Sequence, residues 1–195
     1  MFQITSDDIA QLNDEDLRAL VGRLCESELR KRGLSASVVT WGGHQDAPDG
    51  GSDVRVALPP ATPMDGFVPR PATVFQSKKE DMPRNKICNE MRPGGSLREV
   101  IRELAEQNGA YVIVSSSGSV SEPVLRNRRE AMEEAIRDLP NPNAIALRFY
   151  DRTRLATWVR GSSGRHSLGE RENQQTNPWM AALWSLGWVA GWSER

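Results

Sequence analysis

The chain has 195 residues, enough for one domain with a buried core and a short appendage. At 26% charged and a formal net charge of −1 it carries no global basic excess, so a nucleic-acid partner would have to be met by a local patch. Cys25 and Cys88 are too few for a disulfide framework, no apolar run reaches membrane-spanning length, and the acidic start is unlike a signal peptide; a soluble cytoplasmic protein without a membrane partner is expected.

The first strong element is a helix over Asn13–Arg32. Asn13 suits its N-cap, Asp14, Glu15 and Asp16 its positive end, and Lys31-Arg32-Gly33 its close. Short β-branched runs at Ser37–Trp41, Asp53–Leu58 and Ala72–Ser77 read as strands, parted by Gly- and Pro-rich loops. The loop Pro59–Pro71 holds five prolines and should have no regular structure. The capping box Ser96-Leu97-Arg98-Glu99 predicts a second helix, closed at Gly109, with a stripe of Leu97, Val100, Ile101 and Leu104. Ala110–Val114 is apolar throughout, as a strand covered on both faces would be. A helix over Glu122–Leu139, a strand over Ala144–Tyr150 and a short helix capped by Asp151 follow. The order α-β-β-β-α-β-α-β-α predicts an α/β fold of three layers, a central mixed sheet flanked by helices, over residues 1–160.

Residues 161–195 differ in character. Gly161–Asn177 is polar and reads as linker, and Trp179, Trp184, Trp188 and Trp192 place four of the six tryptophans in the last 17 residues. Three of them, spaced by four, would share one helical face, a surface suited to a second copy of the chain or a larger partner.

Chemistry concentrates where Val74-Phe75-Gln76-Ser77-Lys78-Lys79 ends a strand. Alternate residues share a face, so Gln76 and Lys78 project together. Asp53 enters the preceding strand from the turn Asp49-Gly50-Gly51-Ser52. If the two strands pair antiparallel, Asp53 lies beside Gln76. A carboxylate and an amide oxygen are the hard donors that Mg²⁺ prefers, and an ammonium beside them can steer water or balance phosphate charge. On the first helix, at about 100° per residue, Glu28 falls in the apolar arc of Leu17, Val21 and Leu24, while Glu26 points away. A carboxylate on such a stripe needs a partner or a metal; Arg32 at i,i+4 is the plain alternative.

Glu28, then Asp49-Gly50-Gly51-Ser52-Asp53-Val54, then Gln76-Ser77-Lys78 resembles the PD-(D/E)xK nuclease superfamily. Within it the pattern is similar to the Mrr-like branch of restriction endonucleases, in which the second acidic position is glutamine (QxK). The segment Tyr111–Gly118 resembles the strand and Ser/Thr stretch that follow that core, and the likeness covers about residues 10–160. It implies a restriction-endonuclease-like fold and a Mg²⁺-dependent endonuclease, with Mn²⁺ as a substitute, cutting DNA. The implied site is Glu28, Asp53, Gln76 and Lys78. Asp53, Gln76 and the Ser77 backbone carbonyl would hold the metal, and Glu28 would act through a water. Similar modules, with a Trp41-Gly42-Gly43-like phrase, form N-terminal effectors of bacterial antiphage defence proteins joined to nucleotide-binding sensors; no Walker-type loop occurs here.

Lys79, Arg84, Lys86 and Arg92 follow the site in a loop-like segment and are candidates for phosphate contact. Asp46, Asp49, His44 and His166 read as surface residues and Cys25 as packing. The competing reading is a catalytically weak nucleic-acid-binding or assembly module on a nuclease-like fold.

Overall fold

Reciprocal bonds between Thr5 and Asp8 open a short helix, α1 (Ser6–Ala10), which sequence reasoning passed over. Asn13 accepts from the Asp16 N–H at 2.8 Å and opens α2 (Asp14–Lys31), the long helix read from the sequence. The computed structural model describes residues 4–41, 52–118 and 120–162, which belong to a unit Met1–Ser163; Gly164–Arg195 form a second unit. The Asp49-Gly50-Gly51 turn, Asp46, His44, His166 and the tryptophan-rich tail therefore lie outside the described residues.

Five strands form one sheet in chain order: β1 (Val39–Trp41), β2 (Val54–Ala57), β3 (Ala72–Lys78), β4 (Ala110–Ser115) and β5 (Ala146–Tyr150). β1, β2 and β3 pair antiparallel, whereas β3, β4 and β5 pair parallel. The parallel pairs need crossovers. α3 (Arg84–Met91) and α4 (Glu99–Glu106) carry the chain from β3 to β4, and α5 (Glu122–Ala135) carries it from β4 to β5. Adjacent strands joined by crossovers of one hand place their helices on one face. Val74, Tyr111, Ile113 and Phe149 accordingly pack there against Ile87, Met91, Leu104, Ala131 and Met132. The other face is covered by α2 and α6 (Arg152–Ser162), where Trp158 stacks on Phe75 of β3. The result is the expected three-layer α/β arrangement with a mixed sheet.

Two glycines allow close approaches that set this packing. A Cβ on Gly22 of α2 would fall 2.3 Å from the Trp41 ring, and one on Gly109 would fall 2.6 Å from the Ala72 carbonyl. Gly109 thus lets α4 run directly into β4 beside the start of β3.

Several boundaries differ from the sequence reading. A 3₁₀ turn (Ala36–Val38) precedes β1, and another (Pro142–Ala144) precedes β5, shortening both strands. α5 ends at Ala135, short of Leu139. The Ser96 capping box does not form: α4 starts at Glu99 with Arg98 as its N-cap and no side-chain cap bond. Arg98 is instead drawn back to α3, donating its backbone N–H to the Met91 carbonyl and Nε to the Glu90 carbonyl at 2.6 Å. Glu26 does not point away from the protein; it accepts from Trp41 Nε1 at 2.9 Å, because β1 packs on that side of α2. Among the described residues no helix is long and apolar enough to cross a membrane.

Candidate active site

The antiparallel pairing of Val54 with Phe75 puts Asp53 opposite Gln76, near the end of the central strand. The Asp53 N–H donates to the Phe75 carbonyl at 3.1 Å, so the ladder extends to the residue that carries the acid. Its carboxylate is then tied on both oxygens. Oδ2 accepts from the Ser77 N–H at 2.6 Å and from Gln76 Nε2 at 3.0 Å, while Oδ1 pairs with Arg18 Nε of α2 at 3.1 Å.

With its amide nitrogen committed to Asp53, Gln76 has its Oε1 buried without a partner, in a side chain that is only 5% exposed. A buried amide oxygen left so costs about 1–3 kcal/mol unless something else meets it. Lys78 projects from the same face two residues on and pairs with Glu90 of α3 at 2.9 Å. Glu90 is 13% exposed and is also held by Arg98 at 2.8 Å. Behind the strand end, Ser115 donates to the Glu80 carbonyl at 2.8 Å and Ser116 to the Lys79 carbonyl at 3.4 Å. These buried serines of the Tyr111–Gly118 segment fix the backbone that leaves Lys78.

Burial lifts the Asp53 carboxyl above the ordinary aspartate value. The Ser77 N–H, Arg18 and Lys78 oppose that rise, and Glu90 adds to it. The folded protein therefore holds a proton here more readily than the unfolded chain does. Between the unfolded pKa and the raised folded one, stability grows as pH falls, and at neutral pH the buried charge is a standing cost. In urea unfolding of the metal-free protein, the wild type is expected to gain stability relative to Asp53→Asn as pH drops from about 7 to about 4.5. A pH-independent difference would contradict this assignment.

Asp53, Gln76, Ser77 and Lys78 thus meet in one place, but Ser77 contributes its N–H to Asp53 in the arrangement seen. Glu28 is not brought to them. The Lys79 N–H, just past the end of β3, donates to Asp14 at the start of α2, so the helix runs antiparallel to the strand. Glu28 lies ten residues beyond Arg18, about 15 Å along the axis at 1.5 Å per residue, and pairs with Arg32 at 3.2 Å. Arg32 in turn binds Asp65 in the proline-rich loop before β3. The i,i+4 partner, not a metal-bound water, explains the acid on the stripe.

The segment expected to be loop-like is largely the helix α3, and two of its candidate phosphate contacts are engaged within the chain. Arg84 pairs with Glu134 of α5, and Lys86 with Glu80. Lys79 is exposed, directly beside Lys78. Arg92 spans to the Ala135 carbonyl and Asp138. Sequence reasoning missed Arg18, Glu90 and Arg98. The one available signal was the pair Ile87 and Met91, spaced by four, which bury α3 against the core and turn Glu90 toward Lys78.

No group of three His, Cys, Asp or Glu side chains that could hold a metal occurs among the described residues. The unpartnered Gln76 oxygen beside the Asp53 carboxylate nevertheless fits a hard cation whose shell is completed by water and substrate oxygens. Comparison of the chain with protein-family models, curated proteins and solved structures gave no match.

Proposed function

We propose that the protein is a Mg²⁺-dependent endonuclease that hydrolyses DNA phosphodiester bonds, with Mn²⁺ able to substitute, and that it serves as a bacterial antiphage or restriction effector in the cytoplasm. The observation that carries the reading is the convergence of Asp53, the unpartnered Gln76 Oε1 and Lys78 at one strand end. The resemblance of Asp53-Val54 and Gln76-Ser77-Lys78 to the QxK nucleases supplies the reaction.

Asp53 and Gln76 Oε1 would hold the metal. When bound, it supplies a water of lowered pKa and neutralises charge on the phosphate. Lys78 holds a positive charge where the phosphate gains negative charge, and Glu90 with Arg98 keeps that ammonium in place. The exposed Lys79 is placed to meet the adjoining backbone phosphate. In the balanced step a water oxygen bonds to phosphorus, the bond to the 3′ oxygen breaks, and a 5′-phosphate and a 3′-hydroxyl result.

Plasmid DNA incubated with the protein is expected to be nicked or degraded with Mg²⁺ or Mn²⁺ and left intact with a chelator. Asp53→Ala and Lys78→Ala should each abolish the reaction; cleavage that survives in both would rule the site out. The alternative, a nucleic-acid-binding module without useful catalysis, draws support from the cation partners that Asp53 and Glu90 already have. Metal-independent gel shifts, with no cutting under any metal, would favour it.

A further inference from the structure

We propose that Arg18 is a substrate-phosphate ligand which, in the metal-free protein, stands on Asp53 in place of the divalent cation. Metal and phosphate then enter the site together rather than one after the other. The inference rests on the nuclease reading above and adds to it how the same site is filled.

Two observations carry it. The first is which partner of Asp53 can leave. Ser77 offers a backbone N–H fixed by the strand, and Gln76 reaches from the same strand, so the bonds on Oδ2 are built into the sheet. Arg18 meets Oδ1 from α2 through a long side chain with several rotatable bonds. Moving it off Asp53 leaves the ladder intact.

The second is charge. Arg18, Lys78 and Arg98 face only Asp53 and Glu90, so these ion pairs carry one excess positive charge before any metal arrives. A divalent cation entering alone would add two more at short range in a partly buried site, which is unfavourable. A phosphodiester brings the missing negative charge. Its paired oxygens match a guanidinium in two parallel bonds better than one carboxylate oxygen approached by Nε does. With Arg18 drawn onto phosphate, Asp53 Oδ1 is open beside Gln76 Oε1, the atom that has no partner in the metal-free protein. Because binding free energies are reciprocal, phosphate must strengthen metal binding by the same factor as metal strengthens phosphate binding.

The test reads Mn²⁺ affinity directly, by the electron paramagnetic resonance of free Mn²⁺ at about pH 8, where Asp53 is ionised. Wild type, Arg18→Met, Arg18→Gln and Asp53→Asn are each titrated alone and with a 12-base-pair duplex of phosphorothioate linkages, shown intact on a gel. Without DNA, Arg18→Met is expected to bind Mn²⁺ at least ~10-fold tighter than wild type, since the competing cation is gone. The duplex should tighten Mn²⁺ binding by wild type ~10-fold or more and that by Arg18→Met much less. Arg18→Gln, which keeps a polar side chain of similar reach, guards against a folding defect, and melting curves of both variants confirm the fold.

Equal or weaker Mn²⁺ binding by both Arg18 variants without DNA overturns the role of Arg18, while loss of binding in Asp53→Asn would leave the metal site standing. No Mn²⁺ binding by any of the proteins, with or without the duplex, overturns both.

Discussion

Asp53→Asn is expected to slow DNA cleavage by about 1,000-fold or more while leaving the protein at least as stable at neutral pH. The rate loss follows from removing the one carboxylate that joins the strand end to the metal, an effect of several kcal/mol on the transition state at about 1.4 kcal/mol per tenfold. The stability effect has the opposite sign because the wild-type carboxylate is a net cost where it sits, its ionisation pushed up by burial. Asparagine can still accept the Ser77 N–H, and Arg18, 15% exposed, keeps access to water. Rates from a supercoiled plasmid and urea midpoints at about pH 7.5 measure both halves. A variant that loses cleavage only because it unfolds would deny Asp53 its place at the reaction. Most destabilising substitutions lower activity and stability together; a site residue that separates them is held for chemistry.

Trp158→Ala is expected to cost about 3–5 kcal/mol of stability, the largest single loss in the protein. Trp158 is 1% exposed and stacks on Phe67 at 4.9 Å with an interplanar angle of 4°, against Phe75 at 5.8 Å and across Tyr150. It therefore clamps three parts of the chain: the loop before β3, β3 itself and the end of β5. A domain has only about 5–15 kcal/mol to lose, so the change should lower the melting temperature by roughly 6–20 °C. Trp158→Phe should cost less than half as much, because it removes some ring volume but also an indole N–H that is buried without a partner. A loss below about 1 kcal/mol for the alanine variant would mean that α6 does not cover this face as described.

How far each of these sites was legible from sequence depends on whether the relevant spacing is local. The period of two along Gln76 and Lys78 fixes their shared face within one strand, and a neighbouring antiparallel strand starting at Asp53 then has little choice of register. Glu28 shows the limit. Helical angle told which side of α2 it occupies, but not that α2 runs antiparallel to β3, which puts the start of the helix, not its end, beside the site. Arg18, Glu90 and Arg98 come from separate elements and meet only after the crossover from β3 to β4 has folded, so no local pattern marks them. α3 was hidden for a related reason: its buried surface is little more than Ile87 and Met91 in an otherwise polar stretch. The Ser96 capping box was a sound local signal that lost to a tertiary one, the pull of Glu90 on Arg98.

Mn²⁺ stoichiometry tests the cation site most directly, in wild type, Asp53→Asn and Gln76→Met, each in the presence of the phosphorothioate duplex. Wild type should bind with an affinity that both substitutions reduce at least ~10-fold, since each removes one of the two protein oxygens assigned to the ion. Mn²⁺ held by both variants as tightly as by wild type would contradict the assignment and take the hydrolytic mechanism with it.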